Sequence, residues 1–219
     1  MKATYIDHMG SDITVVNAAR VSFNKESAYE HNGRHGYLSD KDVKLINYLA
    51  EHGHWSPFSH CFIQFRIEAP IFVARQLTAH NEVSSRYVDY TPKFYCPKEW
   101  RLKADNVKQG SAEETVEHNI TQFSLECLNE YNHMLDKGIA PEMARMVLPQ
   151  NMYTEWYWSG SLYAFSRVVN QRLDSTEQAE TRHIADQISQ ACARAEFKHS
   201  WKALTGEEYR STYDTEFSY

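Results

Sequence analysis

The stretch Cys61-Phe62-Ile63-Gln64-Phe65-Arg66-Ile67-Glu68 alternates: Cys61, Ile63, Phe65 and Ile67 share one side, while Gln64, Arg66 and Glu68 share the other. Successive side chains leave a strand on opposite faces, so this pattern predicts a half-buried strand. Pro70 suits the first turn of a following helix, which should run through Val73 and Gln76. Upstream, Ser39 and Asp42 stand at capping-box spacing, with Asp replacing the usual Glu, and predict a helix start. Val43, Ile46, Leu49 and Ala50 give that helix an apolar stripe, and Gly53 suits its C-terminal end. Asn24 to Tyr37 reads as a loop. Downstream, Ala112 to Lys137 reads as a long helix stopped at Gly138, and Pro141 begins another carrying Arg145. Met152 to Trp158 is aromatic and β-prone, and Leu162 to Val169 looks helical. Ser175 with Gln178 should cap a long helix reaching about Phe197. Strands and helices without regular βαβ alternation predict an α+β fold, one domain over residues 1–219.

Composition narrows the function. The 219 residues are 42% hydrophobic and 24% charged, enough apolar material for one sizeable core. A net charge of -6 argues against wholesale nucleic-acid binding but permits a local cationic pocket. No apolar run approaches the roughly 20 residues needed to span a bilayer. Met1-Lys2-Ala3-Thr4-Tyr5 lacks a signal-peptide pattern, so the expectation is a cytoplasmic protein without membrane contact. Cys61, Cys96, Cys127 and Cys192 form no CxxC pair and read as free thiols.

Four segments carry possible chemistry. His52-Gly53-His54-Trp55-Ser56-Pro57-Phe58-Ser59-His60 fits a helix C-terminus and turn, a ligand-contact loop, or a metal site, although it lacks the acidic or Cys ligands of a typical zinc centre. Arg75-Gln76 precedes Asn81-Glu82-Val83-Ser84-Ser85-Arg86-Tyr87. There Ser84, Ser85 and Arg86 offer the hydroxyls, backbone donors and guanidinium that hold a phosphate. A solvated loop with an internal Glu–Arg pair fits that composition equally. Arg145 sits in the apolar run Met143 to Leu148, where a charge needs an ion-pair partner or an anionic ligand. Arg172 precedes a helix start, where it fits either an anion site or a capping turn with an Arg172–Asp174 contact.

Taken in order, these segments resemble the flavin-dependent thymidylate synthases. The match runs from Asn17-Ala18-Ala19-Arg20-Val21-Ser22-Phe23 through His52 to His60, Ala69 to Gln76 and Asn81 to Tyr87. It continues through Ala144-Arg145-Met146-Val147-Leu148-Pro149 and Asn170 to Ser175. The resemblance implies a central, mostly antiparallel sheet packed with long helices. It also implies reductive methylation of deoxyuridylate (dUMP) to thymidylate, with methylenetetrahydrofolate as carbon donor, FAD as hydride carrier and NADPH as reductant. A homotetramer with active sites shared between subunits is implied as well.

By the same resemblance, Gln76, Leu77, Thr78, Ala79, Glu82, Val83, Ser84, Ser85, Arg86, Arg145 and Arg172 form the nucleotide site. Arg172 would act catalytically beside the uracil ring. Ser56, Ala79, His80, Glu82, Ser161, Tyr163 and Arg167 would contact the flavin. One departure stands out: the family's Arg-His-Arg triplet and several following residues are replaced by Ala79-His80 running straight into Asn81. Two other functions share much of this pattern. One is a related pyrimidine-nucleotide modification such as hydroxymethylation, whose product would carry an extra oxygen. The other is nucleotide binding without turnover.

Overall fold

A computed structural model describes residues 1–32, 35–77, 84–86, 92–105, 111–194 and 196–210; side chains are left aside at 32, 35, 84–86 and 194. Strand β1 (Lys2–Met9), β4 (Phe62–Pro70), β8 (Tyr153–Ser161) and β5 (Ser84–Arg86) form an antiparallel sheet in the order β1-β4-β8-β5. The alternation that predicts a strand at 61–68 holds: Cys61, Ile63, Phe65 and Ile67 are buried. Trp156 and Trp158 of β8 join them on the same covered face. The strand runs two residues further than predicted because Ala69 and Pro70 pair with Thr154 and Tyr153. Pro70 therefore ends the strand instead of sitting inside the helix.

Helices cover one face of this sheet. They are α1 (Asp12–Arg20), α2 (Asp40–Glu51), α3 (Ile71–Leu77), α6 (Leu162–Arg172), α7 (Ala179–Arg194) and α8 (Lys198–Thr205). Phe165, Val168 and Val169 of α6, Ile184 and Ile188 of α7, and Trp201 of α8 close the core against the strands. Burying each such side chain contributes roughly 1.5–3 kcal/mol. Helix α4 (Thr121–Asp136) and the short α5 (Pro141–Ala144) pack on each other, and Gly138 in the left-handed region ends α4 as expected. The α+β class is confirmed, and all named strand pairs are antiparallel.

Three predicted elements differ. Asn24 to Tyr37 contains a hairpin, β2 (Glu30–Asn32) with β3 (His35–Tyr37), whose strands are too short to show a period. Ala112 to Lys137 is not one helix: β7 (Ser111–Glu117) pairs with β6 (Glu99–Lys103), and only Thr121–Asp136 is helical. Glu113 to Glu117 carries no apolar helical stripe, and Trp100 and Thr115–Val116 supply the β-prone cross-strand partners. The last long helix begins at Ala179, not near Ser175, and is interrupted after Arg194. Buried Asp12 accepts hydrogen bonds from the amides of His199 (2.9 Å) and Ser200 (2.8 Å), a tertiary cap that starts a new helix.

The Ser39 cap holds, its hydroxyl accepting from the Asp42 amide at 3.2 Å. Asp42 then turns inward. Its carboxylate receives Arg20 Nη2 at 2.6 Å, Ser27 Oγ at 2.9 Å and Ser39 Oγ at 2.8 Å, tying α1 to α2. Burial alone would raise this carboxyl, but the two hydroxyls and Arg20 outweigh it and hold it below the ordinary 3.8. Its stabilising contribution is therefore complete above about pH 4 and declines as pH falls toward the lowered value. Replacing Asp42 by Asn should cost about 3 kcal/mol in urea unfolding at pH 7, and the gap to wild type should narrow in acid. An equal loss at pH 7 and pH 3 would contradict this.

Candidate active site

The β4–β8 ladder sets the site by launching a helix from each strand. At one end the Ile71 amide donates to the Met152 carbonyl (2.9 Å) and α3 begins; at the other the Leu162 amide donates to the Cys61 carbonyl (2.8 Å) and α6 begins. Helix α6, about 16 Å long, then runs back toward α3, so that its last residue meets the end of α3. Arg172 is that residue. Its Nη2 donates to the Gln76 carbonyl at 3.0 Å, and its Nη1 donates to both Glu177 carboxylate oxygens at 3.0 Å. The Arg172 side chain is 13% exposed. The capping-turn alternative, with an Arg172–Asp174 contact, is not what forms: Asp174 accepts from Thr176, at the amide (2.8 Å) and the hydroxyl (2.6 Å), leaving Glu177 to meet Arg172.

Gln76 is held as firmly. Its Oε1 accepts from the buried Thr181 hydroxyl at 2.9 Å and its Nε2 donates to Gln178 Oε1 at 2.6 Å. Gln76 and Arg172 open onto a cleft of about 840 Å³ whose other walls include Phe72, Tyr95, Trp100 and Arg101. Across it, Arg101 grips buried Glu180 through Nη2 at 2.8 and 2.7 Å, and the Tyr95 hydroxyl donates to the same carboxylate at 3.0 Å. Burial pushes Glu180 up, but the Arg101 hydrogen bonds and charge, with the Tyr95 hydroxyl, hold it below its ordinary value. Burial, and then the Glu180 charge, raise the Tyr95 phenol. Of these residues, the sequence marks Gln178 only as a cap residue, and Glu177, Glu180, Thr181, Tyr95 and Arg101 carry no site signal in it. In the structure Glu180 stands in the first turn of α7, where the helix dipole favours an acid.

The remaining predicted residues divide by place. Leu77 is buried in the core. Thr78, Ala79, His80, Glu82 and Val83 lie outside the described residues, as do the side chains of Ser84, Ser85 and Arg86, whose backbone pairs with Tyr157, Trp156 and Glu155. Arg145 is exposed beside exposed Met143 and Met146, so the apolar run around it does not bury its charge in a single chain; Nε donates to the Pro141 carbonyl at 3.2 Å. Ser161 caps α6 by accepting from the Ala164 amide at 3.1 Å. Tyr163 and Arg167, four residues apart, share one face of α6. The Tyr163 ring lies 6.0 Å from exposed Trp55, next to exposed Ser56. At about 100° per residue, Arg172 stands roughly half a turn from Tyr163. On α6, then, the nucleotide candidate Arg172 and the flavin candidates Tyr163 and Arg167 occupy opposite faces.

Among the described residues, no group of His, Cys, Asp and Glu is placed to hold a metal ion, and no helix is long and apolar enough to cross a membrane. The four cysteines are free. His52 closes α2, its Nδ1 meeting the Tyr48 carbonyl at 2.9 Å, which is the helix-end reading of that segment.

The family model described as thymidylate synthase complementing protein matches residues 4–195. The chain belongs to this family, the flavin-dependent thymidylate synthases. The flavin-dependent thymidylate synthase of Thermotoga neapolitana is 37% identical over 189 residues, covering 84% of this chain and 82% of its own. That of Thermus thermophilus is 37% identical over 194 residues, covering 84% and 68%. Among solved structures, the UMP/dUMP methylase PolB from Streptomyces cacaoi bound with 5-Br dUMP matches with a TM-score of 0.73 at 28% identity, covering 94% of each chain. Cys96, which receives Asn151 Nδ2 at 3.7 Å, is the loop thiol beside the cleft. Cys96→Ser should keep thymidylate synthesis within about threefold of wild type; a loss beyond about a hundredfold, near the 2.7 kcal/mol of a lost reacting group, would mean that it acts as one.

Proposed function

We propose that this chain methylates dUMP to thymidylate, using methylenetetrahydrofolate as carbon donor, FAD as hydride carrier and NADPH as reductant. The observation that carries this reading is Arg172, fixed between the Gln76 carbonyl and Glu177 on the wall of the cleft. C5 of uracil is a weak nucleophile. A preorganised cation beside the ring stabilises negative charge developing on N3 and O2, which drives electron density toward C5. The guanidinium needs no reorganisation at that moment because its partners already hold it. Gln76, also fixed, presents its amide edge for uracil recognition, and Arg86 with Ser84 and Ser85 serves the phosphate. Arg145 completes the anionic end from a neighbouring subunit.

The flavin candidates fit their group. Exposed Trp55 and half-buried Tyr163 form an aromatic pair suited to a planar ring, and Arg167 supplies a cation for the pyrophosphate. Ser56, Ser161, Ala79, His80 and Glu82 complete the proposed set. Bound FAD would supply the hydride. Because Arg172 and the Tyr163–Arg167 pair face opposite sides of α6, a homotetramer with shared sites would join the Arg172 of one copy to the flavin face of another. Exposed Val21, Phe23, Phe123, Met143 and Met146 support such assembly. A second substrate is favoured by the solved relatives, which are a UMP/dUMP methylase bound with 5-Br dUMP and with 5-Br UMP.

The purified protein should show a flavin absorbance that NADPH bleaches, and should release tritium from C5-labelled dUMP, with UMP as the parallel substrate. Arg172→Ala should lower turnover by at least about a hundredfold with the fold intact, as loss of a preorganised charge does. A colourless, inactive wild type supplied with FAD, or an Arg172→Ala variant of near-normal rate, would overturn this reading.

A further inference from the structure

The cleft is braced by a contact that the methylation reading does not use. Glu180 lies in the first turn of α7, between Gln178 and Thr181, the two residues that hold the Gln76 carboxamide. Its carboxylate is bound on the other side by Arg101 from β6 and by Tyr95, so one buried acid joins the hairpin wall of the cleft to the helical wall. Tyr95 is itself fixed: its amide donates to the Asn151 carbonyl at 2.8 Å and its ring lies 5.9 Å from Phe72. Continuous contacts therefore run from Arg101 and Tyr95 through Glu180 to the start of α7. From there they pass through Gln178 and Thr181 to Gln76, and from the Gln76 carbonyl to Arg172.

We propose that Glu180 is a positioning residue for pyrimidine binding: by gripping Arg101 and Tyr95 it fixes the first turn of α7, which sets the Gln76 amide and the Arg172 guanidinium. The side-chain exposures suit that role, 7% for Glu180 and 31% for Arg101, since a desolvated carboxylate holds its partners more tightly than a surface pair does. Both Glu180 oxygens are occupied by these partners, so the acid is placed to organise the site and not to exchange protons with a substrate. The inference rests on the pyrimidine-nucleotide reading of the cleft.

Glu180→Gln keeps the shape and removes the charge, while Arg101→Gln removes the same contact from the more exposed side. Each variant should raise the KM for dUMP roughly tenfold, with a smaller change in kcat, and the double variant should lose no more than either alone, as expected for residues acting through one contact. NADPH-driven flavin reduction without nucleotide should stay at the wild-type rate. Hydrogen exchange reads the same chain of contacts without any substrate: in both variants, amides of residues 71–77 and 179–182 should exchange faster, with those of residues 40–51 unchanged. Unaltered exchange at 71–77, or additive KM effects, would overturn the proposal. If wild type turns over neither dUMP nor UMP, the methylation reading fails while the exchange result still decides the role of Glu180. Should Glu180→Gln fail to fold, Arg101→Gln carries the test.

Discussion

The antiparallel pairing of β4 with β8 is the constraint on which the rest depends. It runs from Phe62 opposite Ser161 to Pro70 opposite Tyr153, and each end of the ladder passes its last hydrogen bond to the first residue of a helix. Because the strands are antiparallel, α3 and α6 start at opposite ends of the sheet. That geometry, with the length of α6, brings Arg172 to Gln76. A one-residue slip in the ladder would turn Ile63, Phe65, Ile67, Trp156 and Trp158 out of the core, so burial fixes the register and with it the active site.

On the proposed assignment, the same helix separates two chemistries. Positions 165, 168 and 169 of α6 are buried, and Arg172 follows Phe165 by two turns, which places its charge at the margin of the core where partners can hold it. Half-buried Tyr163 and exposed Arg167 lie on the side of the helix away from Arg172. A cation that must stabilise a developing charge profits from being rigid and partly desolvated; residues that receive a bulky cofactor profit from being accessible. The fold satisfies both demands on eleven residues of one helix by facing them apart.

Much of this is legible in the sequence. The alternation at Cys61–Glu68, the Ser39 cap and the α6 segment are local signals that the tertiary packing reinforces, and they hold. The ordered motifs led to Gln76 and Arg172, which the fold does bring together. What escaped had tertiary causes. Ser111–Glu117 is a strand because Trp100 and Arg101 lie opposite Val116 and Thr115, and the break before α8 exists because Asp12, far away in sequence, caps it. Glu180, Arg101 and Tyr95 carry no shared spacing, so nothing in the sequence couples them. The apolar neighbours of Arg145 suggest a core in the sequence, yet Met143 and Met146 are exposed in the single chain.

On the proposed reading, nucleotide and flavin parts of one active site come from different copies of the chain. Co-expressing Arg172→Ala with Arg167→Glu, each inactive alone, tests it most directly. If sites are shared, mixed assemblies contain some that pair an intact Arg172 with an intact flavin face, and activity returns to a measurable fraction of wild type. If mixed assemblies stay as inactive as the parents, each chain builds its site alone and the account is wrong.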